Sequence, residues 1–381
     1  MKNHSSNLII KSIIYLLIIA TAIFAVVFTY FHNANSDGYI LGDWLINYQD
    51  GGFKRRGLSG SFFFALQDFT SIKLQKLVFS FQVVIILLFF YYYFKIIQHK
   101  EVTYLYLSLL LSSIGFVGIF NCVDYVGKKE FIVFFLFSFF IYSLNEGKLS
   151  KSKEYFICVG LFVAMFFHEI TLFFVPYFII ALYLKSQKVE FKRYLKYILA
   201  VFIPAIAIVL FGNEINEGQS LQILKDRDVV LTRGIFFWDI NERQYIIDHF
   251  NEYRLYFISL GLSCLHLWWY LKYQNQRKVI SILLITAFLF SLPLFYLAID
   301  WGRWMYIHMI FIIILFGLLL KDSKLTSHSE KFVFDQKFYI TTFIILFSLL
   351  YRVEMSGSGF TWQGILYRTT IVPFELLNKM I

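Results

Sequence analysis

Uninterrupted apolar runs of about twenty residues recur from one end of the chain to the other, and they limit what this sequence can become more than any other feature. A run of that length is what a helix needs to cross a bilayer core about 30 Å thick. Backbone in lipid must satisfy its own hydrogen bonds, which leaves helices or closed barrels. The runs are continuous rather than alternating, so they predict helices. The first ends near Tyr30, and others cover 77–94, 103–120, 131–144, 155–167, 171–184, 197–212, 255–271, 279–298, 305–320 and 338–351. Together these give about eleven expected spans. The expected fold class is all-α, a polytopic integral membrane protein forming a single transmembrane domain over 1–381. The chain is 59% hydrophobic and only 16% charged, against about 45–50% and about 25% in an average soluble domain. The first run exceeds a typical signal-peptide core and no small-x-small cleavage site follows, so it reads as a retained span.

The loops between these runs alternate in charge. The segments 1–11, 95–101, 145–154, 185–196, 272–278 and 321–337 hold 19 Lys/Arg against 7 Asp/Glu, and the rest of the chain holds 16 against 18. Lysine and arginine accumulate in short cytoplasmic loops, which predicts a cytoplasmic N-terminus. The first long loop, 31–76, and the longest one, 213–254, then fall on the outer side. This distribution accounts for the net charge of +10 without a nucleic-acid partner. Cys122, Cys158 and Cys264 are too few and too far apart for a disulfide framework or a zinc pattern. No metal-ligand or phosphate-loop motif appears, so no metal ligands are assigned and no cofactor is expected, with a divalent metal left open.

The chemistry-bearing residues concentrate on the predicted outer side. In the first loop, Asp37, Asp43 and Asp50 precede Lys54, Arg55 and Arg56, which run into Gly57-Leu58-Ser59-Gly60-Ser61 and an aromatic segment. That segment suits a short interfacial helix. Free N–H groups at a helix start favour anions, and arginine's planar fork matches phosphate oxygens. The three acids are alternative general bases. The plainer alternatives are solvated loop acids and a basic triplet that anchors to headgroups. His168-Glu169 interrupts an intensely apolar stretch, where ionisable groups are expensive. Arg233 lies in the long loop, and Asp300 and Arg303 flank a tryptophan-rich turn.

This layout resembles two groups of enzymes. A first outer loop with acids and an interfacial helix, aromatic-rich spans and a second long outer loop are similar to the GT-C class of membrane glycosyltransferases. The arginine-bearing outer loops resemble the Wzy-type polymerases of O-antigen and capsule. The resemblance implies a glycosyltransferase of the bacterial inner membrane with its active face in the periplasm. It would polymerise repeat units carried on a polyprenyl diphosphate, with membrane lipid and other polysaccharide assembly proteins as partners. Asp37, Asp43, Asp50, His168 and Glu169 become the candidate catalytic residues, and Lys54, Arg55, Arg56, Arg233, Asp300 and Arg303 the candidate diphosphate ligands. Alternatives are a GT-C transferase adding one sugar from a polyprenyl-phosphate donor and a transporter or flippase of lipid-linked glycan.

Overall fold

The computed structural model describes residues 3–147, 149–322, 335–357 and 359–380. The expected cytoplasmic loop 321–337 lies mostly outside them. Among the described residues the chain is helical and has no strand. The helices are α1 (Asn3–Ala34), α2 (Leu41–Trp44), α3 (Gly57–Thr70), α4 (Leu74–Gln98), α5 (Tyr104–Leu110), α6 (Val117–Asn121), α7 (Glu130–Asn145), α8 (Lys151–Phe167) and α9 (Thr171–Ser186). They continue with α10 (Phe191–Phe211), α11 (Glu217–Asp226), α12 (Glu242–Asp248), α13 (Phe250–Tyr253), α14 (Leu255–Leu271), α15 (Arg277–Leu297), α16 (Trp301–Phe316), α17 (Gln336–Ser348) and α18 (Ile365–Met380).

Four segments among the described residues are long and apolar enough to cross a membrane: Leu8–Ala34, Leu74–Gln98, Phe191–Phe211 and Arg277–Leu297. The expected number near eleven is not reached on that criterion. Helices such as α7, α9 and α16 are apolar but have 16 residues each, about 24 Å at 1.5 Å per residue.

The chain divides into two compact units. The first comprises Met1–Phe24, Phe94–Tyr125 and Asn241–Ile381, and the second Ala25–Tyr93 and Val126–Ile240. In the first unit α16 is buried from Gly302 to Phe316, as expected of a helix apolar on every side. α14 and α15 pack on it, and α5 packs on α14 and α17. The predicted span 103–120 is broken here into α5 and α6. Thr103 caps α5 by accepting from the Tyr106 amide at 3.2 Å, and the chain then turns so that the Phe116 amide reaches the Leu110 carbonyl at 3.0 Å. A Cβ on Gly115 would lie 2.5 Å from the Leu109 carbonyl oxygen, so only glycine fits the fold-back. Hydropathy does not register this break because the turn is itself buried in protein.

In the second unit α7, α8, α9 and α10 pack together and α3 lies against α8. Its apolar centre joins Leu41, Trp44, Phe63, Phe64 and Phe167 with Leu224, Leu231 and Phe236. The Trp44 ring makes edge contacts with Phe63, Phe81 and Phe167. Each such large side chain contributes roughly 1.5–3 kcal/mol on burial. The long loop 213–254 is not structureless: it carries α11, a 3-10 turn at 235–237, α12 and α13.

Candidate functional site

The first loop is shaped by short-range hydrogen bonds and by non-glycine residues in left-handed backbone, Ser36, Arg56 and Ser71. The Asp37 carboxylate accepts from the Tyr39 amide at 2.9 Å, a local turn that leads into α2. Trp44 is pinned by its indole N–H, which donates to the Gly127 carbonyl at 2.7 Å, and this fixes Asp43 beside it. Further along, Arg56 adopts a left-handed backbone (φ 63°) immediately before α3. Such a conformation costs a non-glycine residue on the order of 1–3 kcal/mol and persists only where surrounding contacts hold it. Here the contacts are ionic.

The Arg56 guanidinium reaches two carboxylates. Its Nε lies 2.9 Å from Glu169 Oε2 and 3.1 Å from Oε1, its Nη2 2.6 Å from Oε1, and its Nη1 3.2 Å from Asp43 Oδ1. Lys129, in the turn before α7, donates to the Asp43 carbonyl at 2.6 Å and sits 3.6 Å from Asp43 Oδ2. His168 ends α8, and its Nδ1 accepts the Ile170 amide at 3.3 Å. Two acids and two cations thus neutralise one another. Arg55 adds a fifth charge: its side chain is 57% exposed, with Nη1 3.7 Å from Glu169 Oε1. The Asp43 side chain is 7% exposed and that of Glu169 27%, so Glu169 is the carboxylate that meets the surroundings.

Electrostatics fix the protonation states. Burial pushes the Asp43 carboxyl up, but Lys129 and Arg56 outweigh it and hold it well below the usual carboxylate range. Glu169 is likewise raised by burial and lowered further by Arg56, remaining ionised far below neutral pH. Burial lowers the Lys129 ammonium more than Asp43 raises it, bringing it down to about 8. Arg56 is depressed by burial and raised more strongly by Glu169 and Asp43, so it stays charged.

Of the residues selected from sequence, Asp43, Arg55, Arg56, His168 and Glu169 come together. Asp37 belongs to a separate group, with His32 Nδ1 at 2.9 Å and Arg233 Nη2 at 3.8 Å. Arg233 lies over the Tyr39 ring, and the chain on either side is locked by Gly38, whose Cβ would collide with the Arg233 carbonyl at 1.7 Å. Asp50 and Lys54 form a fully buried ion pair apart from this cluster, and the Ser220 hydroxyl donates to Asp50. A charge enclosed that way belongs to the framework of the loop and has no face for a ligand. Asp300 and Arg303 belong to the other unit and pair with each other at 3.0 Å, with Arg303 buried over the Trp304 ring.

At the helix start expected to hold an anion, the fourth residue faces protein. The Gly60 amide donates to the Ile46 carbonyl at 2.9 Å, and a Cβ on Gly60 would lie 2.3 Å from that oxygen. Lys129 was missed from sequence. Its signal was Lys128-Lys129-Glu130 at the head of a very apolar helix, basic residues in a loop that the charge pattern assigns to the outer side. Lys128 also points into this region, donating to the Tyr39 carbonyl at 3.1 Å.

Comparison with protein-family models, characterised proteins and solved structures found no match. The site therefore has to be read from its own chemistry.

Proposed function

We propose that this chain is a membrane glycosyltransferase that acts on polyprenyl-diphosphate-linked oligosaccharide, most simply as a polymerase of repeat units. The observation that carries the reading is the Asp43–Arg56–Glu169–Lys129 cluster with Arg55 at its edge, which joins ionised acids to arginines in the first long loop. In the reaction, an acceptor hydroxyl oxygen bonds to the anomeric carbon of the donor sugar. The bond from that carbon to the diphosphate oxygen breaks, and the electron pair leaves with the polyprenyl diphosphate. Arg55 and Arg56 would offset the charge on the leaving group, and Glu169 or Asp43 would take the hydroxyl proton.

On this reading the cluster faces the periplasm of a bacterial inner membrane, in keeping with the loop-charge asymmetry. The eleven-span GT-C layout belongs to the same proposal, with the shorter apolar helices completing the crossings beside the four long ones. A second reading, single-sugar addition from a polyprenyl monophosphate, is favoured by one observation. Beyond four mutually neutralised charges the cluster offers one exposed guanidinium, Arg55, which suits a less charged headgroup.

The test is complementation in the native host with surface glycan resolved by length. Arg56→Ala and Glu169→Ala should each collapse the glycan to single repeat units at normal expression. Full-length glycan lacking one sugar would select the single-addition enzyme. Unaltered glycan in both variants would remove the glycosyltransferase reading of this cluster.

A further inference from the structure

Glu169 is held as an anionic ligand would be held. Its carboxylate takes a fork-to-fork grip from Arg56 and lies beside a second guanidinium, Arg55, whose ion pair here is with the same Oε1. Arginine pairs with this geometry are suited to planar carboxylates and to phosphate oxygens alike. The other members of the cluster differ in kind. Asp43 is enclosed between Arg56 and Lys129, the Lys129 side chain is fully buried, and both are tied to backbone carried by Trp44 and Gly127. Glu169 instead sits between α8 and α9, partly exposed, two residues past the end of α8.

We propose that Glu169 is a stand-in for substrate: its carboxylate occupies a phosphate-binding position made by Arg55 and Arg56, and a phosphate or diphosphate ester displaces it. The displaced carboxylate loses its strongest counter-ion and becomes a better base at the moment the anion arrives. Binding then generates the base, and in the resting site Glu169 offsets part of the charge of the two arginines. The choice of a diphosphate rests on the proposed function above, whereas the displacement itself does not.

Full-length protein purified in detergent is titrated with inorganic pyrophosphate by calorimetry. Glu169→Gln keeps the side-chain shape and removes the competing charge, and it should bind at least about tenfold more tightly than wild type, equivalent to about 1.4 kcal/mol. Glu169→Ala serves the same purpose if the amide variant does not fold, with folding followed by thermal melting. Adding Arg55→Ala to Glu169→Gln should abolish the gain. Equal pyrophosphate affinity in wild type and both Glu169 variants overturns the proposal, as does a gain that survives Arg55→Ala.

A short-chain prenyl diphosphate that binds more tightly than pyrophosphate identifies a lipid-linked ligand. Displacement of bound pyrophosphate by phosphatidylglycerol in nanodiscs at equal potency would instead assign the phosphate to bulk headgroups and overturn the substrate claim. Tighter pyrophosphate binding by Glu169→Gln with normal glycan length in Arg56→Ala cells would uphold the anion site and reject the polymerase. Unchanged binding with collapsed glycan would do the reverse.

Discussion

Arg56 and Glu169 are 113 residues apart in the chain and 2.6 Å apart at their closest atoms. One guanidinium joins the strained turn before α3 to the junction of α8 and α9, and it also reaches Asp43. Glu169 accepts from Nε and Nη2, so lysine, which has one nitrogen and no fork, cannot replace Arg56 without loss. Arg56→Lys should keep the charge and lose the paired geometry and, on the proposed function, glycan assembly, measured by complementation against wild-type expression.

Asp43 is the counter-ion of two cations. Asp43→Asn should leave Arg56 and Lys129 undercompensated and cost on the order of 3–5 kcal/mol, the usual loss when one partner of a buried pair is removed. Thermal melting in detergent checks it, and a change in melting temperature no larger than that of an exposed-loop substitution would count against this role.

The acid side of the stability profile has a defined sign. Glu169 and Asp43 are depressed in the folded protein, so their contributions are fully present above the ordinary carboxylate range near pH 4 and are lost as pH falls through the lower folded values. Melting temperature measured from pH 6 to pH 3 should therefore fall less steeply in Glu169→Gln than in wild type.

Lys129 gives the opposite limb. Its folded value near 8 lies below the ordinary 10.5, so the unfolded chain holds the proton longer and the lysine's contribution to stability improves as pH rises between the two values. In protein carrying isotopically labelled lysine, one side-chain resonance should titrate near pH 8 and be missing from Lys129→Met.

Much of the fold and part of the site were legible in the sequence. The helical, membrane-compatible class follows from continuous apolar runs; Glu169 stands out as a charge amid hydrocarbon, and Asp43, Arg55 and Arg56 as acids and arginines grouped in the first long loop. Their partners were not legible. Lys129 is 86 residues from Asp43, and nothing local links the two. Lys54 was selected for the right charge and the wrong surroundings: Asp50 is four residues before it, but the enclosure is completed by Ser220, 170 residues from Asp50. The 103–120 run shows the converse, where hydropathy is satisfied equally by a span and by a buried fold-back.

That enclosure yields a further prediction. Lys54→Met alone should leave the Asp50 carboxylate buried without its cation and cost on the order of 3–5 kcal/mol, whereas Lys54→Met with Asp50→Leu should recover much of the loss. Glycan of normal length from the double variant would agree with a framework role for the pair. Loss of polymer in a double variant that melts like wild type would return Lys54 to the ligand set.

The division of the chain also sets an order of assembly during synthesis. Every residue of the second unit precedes position 241, while the first unit waits for Asn241–Ile381. At about 5–20 residues per second that remainder takes roughly seven to thirty seconds to emerge. The ribosome is thus still at work on the segment bearing Arg303 when all the parts of the Arg56–Glu169 grip have already been delivered.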